Sequence, residues 1–190
     1  MRYLRFTAAA LSLPALAAAH AMPGVGDFYS GMLHPLLTLD QIVPLAALSL
    51  LAGQQRRASA IAALVTFPVV LAAAACAGLT VTPPLFLPVA NAGAMTILGI
   101  LIAVSRPLPP FALAALAAVL GVAQGLAVSA EIEPGVEAWR FIVGAGLIGL
   151  VIVVYGIGLV RRLHAKWMHI AVRAAGSWVA AIGVMVLALK

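Results

Sequence analysis

Long apolar runs separated by short polar knots set the pattern of this chain. Windows of about twenty apolar residues recur at 35–53, 58–78, 85–105, 109–129, 139–160 and 168–189, each long enough for an α-helix to cross a hydrocarbon core about 30 Å thick. The knots between them are Gln54-Gln55-Arg56-Arg57, Thr80 to Pro84, Arg106-Pro107, Glu131 to Glu137, and Arg161 to Lys166. The pattern predicts an all-α fold, a polytopic membrane bundle of six transmembrane helices. A transmembrane β-barrel would show alternating segments of about ten residues, whereas these runs are continuous and rich in Ala and Leu.

The segment ahead of the first window reads differently. "MRYLRFTAAALSLPALAAAH" places Arg2 and Arg5 before a short apolar run that ends at Ala17-Ala18-Ala19, the layout of a secretory signal peptide with a small-x-small cleavage site. The expected organisation is a signal peptide over 1–19 and a single six-helix domain over 20–190. Cleavage after Ala19 makes His20 the new N-terminus, where an α-amine and an imidazole together suit Ni, Cu or Co. An uncleaved segment would instead act as an extra helix.

Charge adds an orientation. The chain is 65% apolar and 8% charged, with eleven Lys+Arg against five Asp+Glu. In a soluble protein that excess would suggest nucleic acid as a partner; here most basic residues lie in short connections between spans, so they report topology and no nucleic-acid binding is expected. The first, third and fifth connections are basic and Glu131, Glu133 and Glu137 gather in the fourth. That alternation puts the odd connections in the cytoplasm and the mature N-terminus in the periplasm of a bacterial inner membrane, in agreement with a cleaved signal. Arg173, a turn inside the last span, can snorkel to the cytoplasmic surface. His164 and His169 flank the last basic connection as interfacial residues, and Trp139 and Trp167 fall at span ends. Cys76, the only cysteine, reads as a packing residue, and Gly121-x-x-x-Gly125 and Gly144-x-Gly146-x-x-Gly149 let helix backbones approach closely.

Candidate chemistry begins in the first span, "HPLLTLDQIVPLAALSLLAG". A carboxylate at membrane depth costs at least a few kcal/mol unless it faces a cavity, a cation or a partner, so Asp40 is a functional candidate. His34 and Gln41 are two helical turns apart and share a face, with Asp40 on the adjoining flank. Pro44, four residues after Asp40, has no N–H and frees the Asp40 carbonyl. Two readings stay open: a polar ligand pocket, or a helix cap at His34 with Asp40 bonded to a neighbouring helix. Asn91 in "PVANAGAMTILG" and Gln124 in "GVAQGLAVSAE" are candidates to join the pocket or to serve as interhelical hydrogen-bond glue, and Glu131 closes the second of these stretches near the outer face.

These residues resemble the HupE/UreJ family of nickel and cobalt permeases. The family pattern "GFxxGFxHPxxGxDH" reads here "GDFYSGMLHPLLTLDQ", Gly26 to Gln41, and the resemblance spans nearly the whole chain. It implies a small six-helix membrane protein that carries divalent nickel or cobalt inward, with His20, His34 and Asp40 as the first ligand set. Glu131 matches the glutamate closing the family's "HGxAHGxE" motif, with Gly125 also in place. Gln41 stands where the family has His, Gln124 and Val128 where the later motif has its two histidines, and Asn91 where Glu is common. Imidazole suits nickel and cobalt better than amide oxygen does, so the resemblance carries scaffold and topology further than metal preference.

The expectation is therefore a permease for a divalent transition-metal ion, with His20, His34, Asp40, Gln41, Asn91, Gln124 and Glu131 as metal residues. The ion is cargo, nickel or cobalt by resemblance, and no cofactor is expected. Expected partners are the lipid bilayer and the ion, with a homo-oligomer or a periplasmic metal-delivery protein as further classes. A non-transporting accessory protein that binds a partner or metal chaperone is the alternative. An enzyme is not expected: the sequence has no G-x-S-x-G, no H-E-x-x-H and no nucleotide-binding G-x-x-x-x-G-K-[ST].

Overall fold

The computed structural model describes residues 26–82 and 84–189; the signal segment and His20 lie outside them. Among the described residues there are seven helices and no strand: α1 Asp27–Leu37, α2 Leu39–Gln54, α3 Arg57–Gly78, α4 Leu87–Val104, α5 Pro110–Ala130, α6 Ala138–Arg161 and α7 Lys166–Ala188. The last five are each long and apolar enough to cross a membrane, and α1 with α2 makes a sixth crossing if the pair is one broken span. The protein is thus a multi-pass helical membrane protein. Pro88 and Pro110 lie in the first turns of α4 and α5, where a missing N–H removes a donor the helix would leave unpaired anyway.

The first span differs from the single helix expected over 35–53. α1 and α2 meet at a bend of 77°, and at about 16 Å and 24 Å neither reaches across the hydrocarbon alone. The break is at Thr38, whose backbone is extended at φ −108° and ψ 109°. Its hydroxyl donates to the His34 carbonyl at 2.6 Å, taking an acceptor that a continuous helix would give to a backbone amide. Its own carbonyl then starts α2 by accepting from the Gln41 and Ile42 amides.

Packing is pairwise around α2. α3 lies along α5, α4 along α7, and both α1 and α2 against α6. Leu45, Leu48 and Leu51 of α2 meet Phe67, Leu98, Leu113, Leu120 and Val153 in the main core; a second cluster of Ala75, Val128, Phe141, Ile142 and Ala145 lies toward the acidic end. The glycine spacing read as packing serves that purpose: a Cβ on Gly121 would sit 3.0 Å from the Phe67 carbonyl oxygen, and one on Gly125 would strike the Leu71 carbonyl. Residues 67 and 71 therefore face 121 and 125 in the same order, so α3 and α5 run parallel, as alternate spans must.

The two ends of the bundle differ in charge and in how they are tied. At one end Gln54 Nε2 donates to the Ile102 carbonyl (3.3 Å), and Gln55 Nε2 donates to that of Arg106 (3.3 Å). The Leu108 amide donates to Gln55 Oε1 (2.7 Å), and Ser59 Oγ donates to the Leu108 carbonyl (2.8 Å). Arg173 also points there, and beyond the snorkelling expected of it, its Nε donates to the Ala103 carbonyl at the end of α4 (2.8 Å). The first and third connections, with Arg56, Arg57 and Arg106, thus share one end. At the other end the Glu137 amide donates to Asp27 Oδ2 (2.9 Å), Arg140 pairs with Glu137 at 2.6 Å, and Trp139 stacks under the Arg140 guanidinium.

Candidate functional site

The elbow between α1 and α2 brings His34 and Gln41 together by a route the periodicity did not foresee. They do not share one helix face; they meet across the break, with Gln41 Nε2 and His34 Nε2 2.7 Å apart. One hydrogen bond joins the carboxamide to the imidazole ring, its direction set by the imidazole tautomer. Both side chains are buried, at 2% and 3% exposure, and the imidazole tilts against the Phe141 ring of α6. Gln41 Oε1 is buried with no hydrogen-bond partner among the described residues. Such an acceptor costs on the order of 1–3 kcal/mol unless something donates to it or is coordinated by it.

One residue earlier, Asp40 takes part through both its backbone and its side chain. Pro44 supplies no amide to its carbonyl, and two side chains from other helices take that place. Asn91 Nδ2 of α4 donates to it at 2.7 Å and Gln124 Nε2 of α5 at 3.3 Å. Gln124 Nε2 also lies 3.3 Å from Asn91 Oδ1, so three helices are stitched at one carbonyl. Gln124 is 2% exposed, and a buried carboxamide held this way positions α5 against the irregular start of α2. The Asp40 carboxylate is exposed and lines a cavity of about 420 Å³ between α2, α4 and α7, together with Asn91 and Met95. No described residue hydrogen-bonds that carboxylate.

Five of the seven expected metal residues therefore fall into two groups around the start of α2: His34 with Gln41 against Phe141, and Asn91 with Gln124 at the Asp40 carbonyl. Glu131 caps the C-terminus of α5, seven residues past Gln124 and so about 10 Å farther along the axis toward the acidic end. His20 lies outside the described residues. The described residues contain no group of three His, Cys, Asp or Glu able to hold a metal ion; the cavity itself is lined by the Asp40 carboxylate and the Asn91 carboxamide. Met95, one turn past Asn91 on the same face, is a site residue the sequence did not single out. Its thioether offers a soft sulfur beside a hard carboxylate, and the i to i+4 spacing from Asn91 was the available signal. His164 and His169 are exposed at the basic end, away from this cluster.

A family model described as HupE / UreJ protein matches residues 8–186. No curated protein and no solved structure matches the chain.

Proposed function

The chain belongs to the HupE/UreJ family, and from that premise we propose that it is an inner-membrane permease for a divalent transition-metal ion. The carrying observation is the Asp40 carboxylate. It is an acid at the rim of a cavity among apolar helices, with no hydrogen bond from a described residue. In this reading His20 with its α-amine captures the ion at the periplasmic mouth, together with Glu131. His34 and Asp40 replace part of its water shell, and Gln41, Asn91 and Gln124 line the onward path. The basic end faces the cytoplasm, where Lys and Arg accumulate by the usual charge rule. An inward-negative potential supplies about 2.3 kcal/mol per charge at 100 mV, and a divalent ion draws on it twice. Nickel or cobalt is the cargo that the family resemblance favours.

The test is elemental analysis of cells expressing wild type, His34→Ala and Asp40→Asn at matched membrane levels. One metal should accumulate with wild type and fall to the background of non-expressing cells with Asp40→Asn; unchanged uptake in that variant removes the mechanism. A second reading, a non-transporting accessory protein, is favoured by one specific observation. Asn91 and Gln124 spend their amides on each other and on the Asp40 carbonyl, as structural residues do. No change in any element on expression would select it.

A further inference from the structure

On the outside of the bundle a depression at the seam between α2 and α6 continues along the outer face of α6 toward the basic end. Two cavities of about 350 Å³ each share Tyr155 and Leu159 and so form one depression. The first part is walled by Ala46 and Leu50 of α2 and Val151 of α6; its one α2 hydroxyl, on Ser49, is spent on the Ala46 carbonyl at 2.7 Å. The second part ends on Arg162. Gly158 forms its floor, and a Cβ there would meet nothing within 4 Å, so the missing side chain leaves real space.

The dimensions and the charge indicate what fills it. From Val151 to Arg162 is eleven residues, about 16 Å of helix, which is the depth of one leaflet of a 30 Å core. Arg162 lines its end, Arg161 and Lys166 belong to the same connection, and all five acidic residues of the chain (Asp27, Asp40, Glu131, Glu133 and Glu137) lie toward the opposite end. Among the described residues no ion pair involves these cations. Guanidinium binds phosphate in a two-point fork, and basic pockets between transmembrane helices suit anionic headgroups.

We propose that this groove is a binding site for one acidic phospholipid of the leaflet at the basic end, with an acyl chain between α2 and α6 and its phosphate on Arg162. The site is independent of the proposed transport. Its test is native mass spectrometry of the detergent-solubilised full chain, titrated with dioleoyl phosphatidylglycerol and with dioleoyl phosphatidylcholine. One phosphatidylglycerol should be retained per chain, about fivefold more tightly than phosphatidylcholine, the effect of roughly one basic residue on an anionic lipid. Arg162→Gln should erase that preference. Gly158→Leu should expel either lipid, with Gly158→Ala as the milder filling if the leucine variant fails to fold. Gly93→Leu, at another glycine with open space around it, should leave retention unchanged. Equal retention of the two lipids, retention unaffected by Arg162→Gln or by filling position 158, or an equal loss in Gly93→Leu overturns the proposal.

Discussion

Replacing Asn91 and Gln124 together should cost more than the sum of the two single replacements, and the excess should depend on Pro44. Asn91→Leu removes its bond to the Asp40 carbonyl and its acceptance from Gln124; Gln124→Leu removes its own two bonds. At about 0.6 kcal/mol for a hydrogen bond within a membrane bundle, each single variant loses about 1.2 kcal/mol. After either one, the Asp40 carbonyl still has a donor. After both it has none, because residue 44 is proline, and a carbonyl orphaned among apolar helices costs a further 1–3 kcal/mol or so. The one bond shared by the two side chains is counted twice in the singles, so the expected excess is about 0.5–2.5 kcal/mol. In a Pro44→Ala background the restored amide of residue 44 can donate to that carbonyl, and the excess should give way to a shortfall of about 0.6 kcal/mol, the bond counted twice. The assay is equilibrium unfolding in mixed micelles of the four variants of the cycle in both backgrounds. Additive losses in the Pro44 background, or an excess that survives Pro44→Ala, would refute the assignment of this carbonyl as the junction.

Three other outcomes follow from the packing. Gln55→Leu removes a buried side chain that both accepts from the Leu108 amide and donates to the Arg106 carbonyl; thermal unfolding in micelles should show a loss of about 1–3 kcal/mol, with faster proteolysis of the connection after α4. Gly125→Leu sets a side chain against the Leu71 carbonyl and Ala74, so α3 and α5 must separate; a loss of at least about 2 kcal/mol is expected by the same measurement, from overpacking. Glu137→Ala breaks the pair with Arg140, whose side chains are half exposed, and should change stability by less than about 0.5 kcal/mol in urea titrations.

Five crossings could be read from the chain because a span of about twenty apolar residues is a signal that depends on composition alone. α3 through α7 begin and end within two residues of the expected windows. The first crossing was misread at Thr38, where hydropathy is continuous and the interruption is made by one hydroxyl reaching back to His34, a contact that leaves no trace in a hydrophobic pattern. At the site, the effect of Pro44 on the Asp40 carbonyl followed from covalent structure and was legible. Which side chains would take up that carbonyl was not, since Asn91 and Gln124 reach it from 51 and 84 residues away. The meeting of His34 with Gln41 was anticipated for a reason the fold does not use: the bend between helices, and not the turn of one helix, brings them together.

Among the described residues, the side chains at the basic end address the stretch from Ile102 to Leu108 through its main chain: four carbonyls accept and one amide donates, five bonds in all. The information needed to hold that turn is therefore written in Gln54, Gln55, Ser59 and Arg173, far from it in sequence. Its own residues are released from that duty except where shape demands otherwise, as at Ser105, whose left-handed φ of 55° favours glycine or asparagine as replacements. Under random mutagenesis the turn should accept many residues at position 106 while Gln55 accepts few, so tolerance to change would map the readers of the backbone and not the backbone they read.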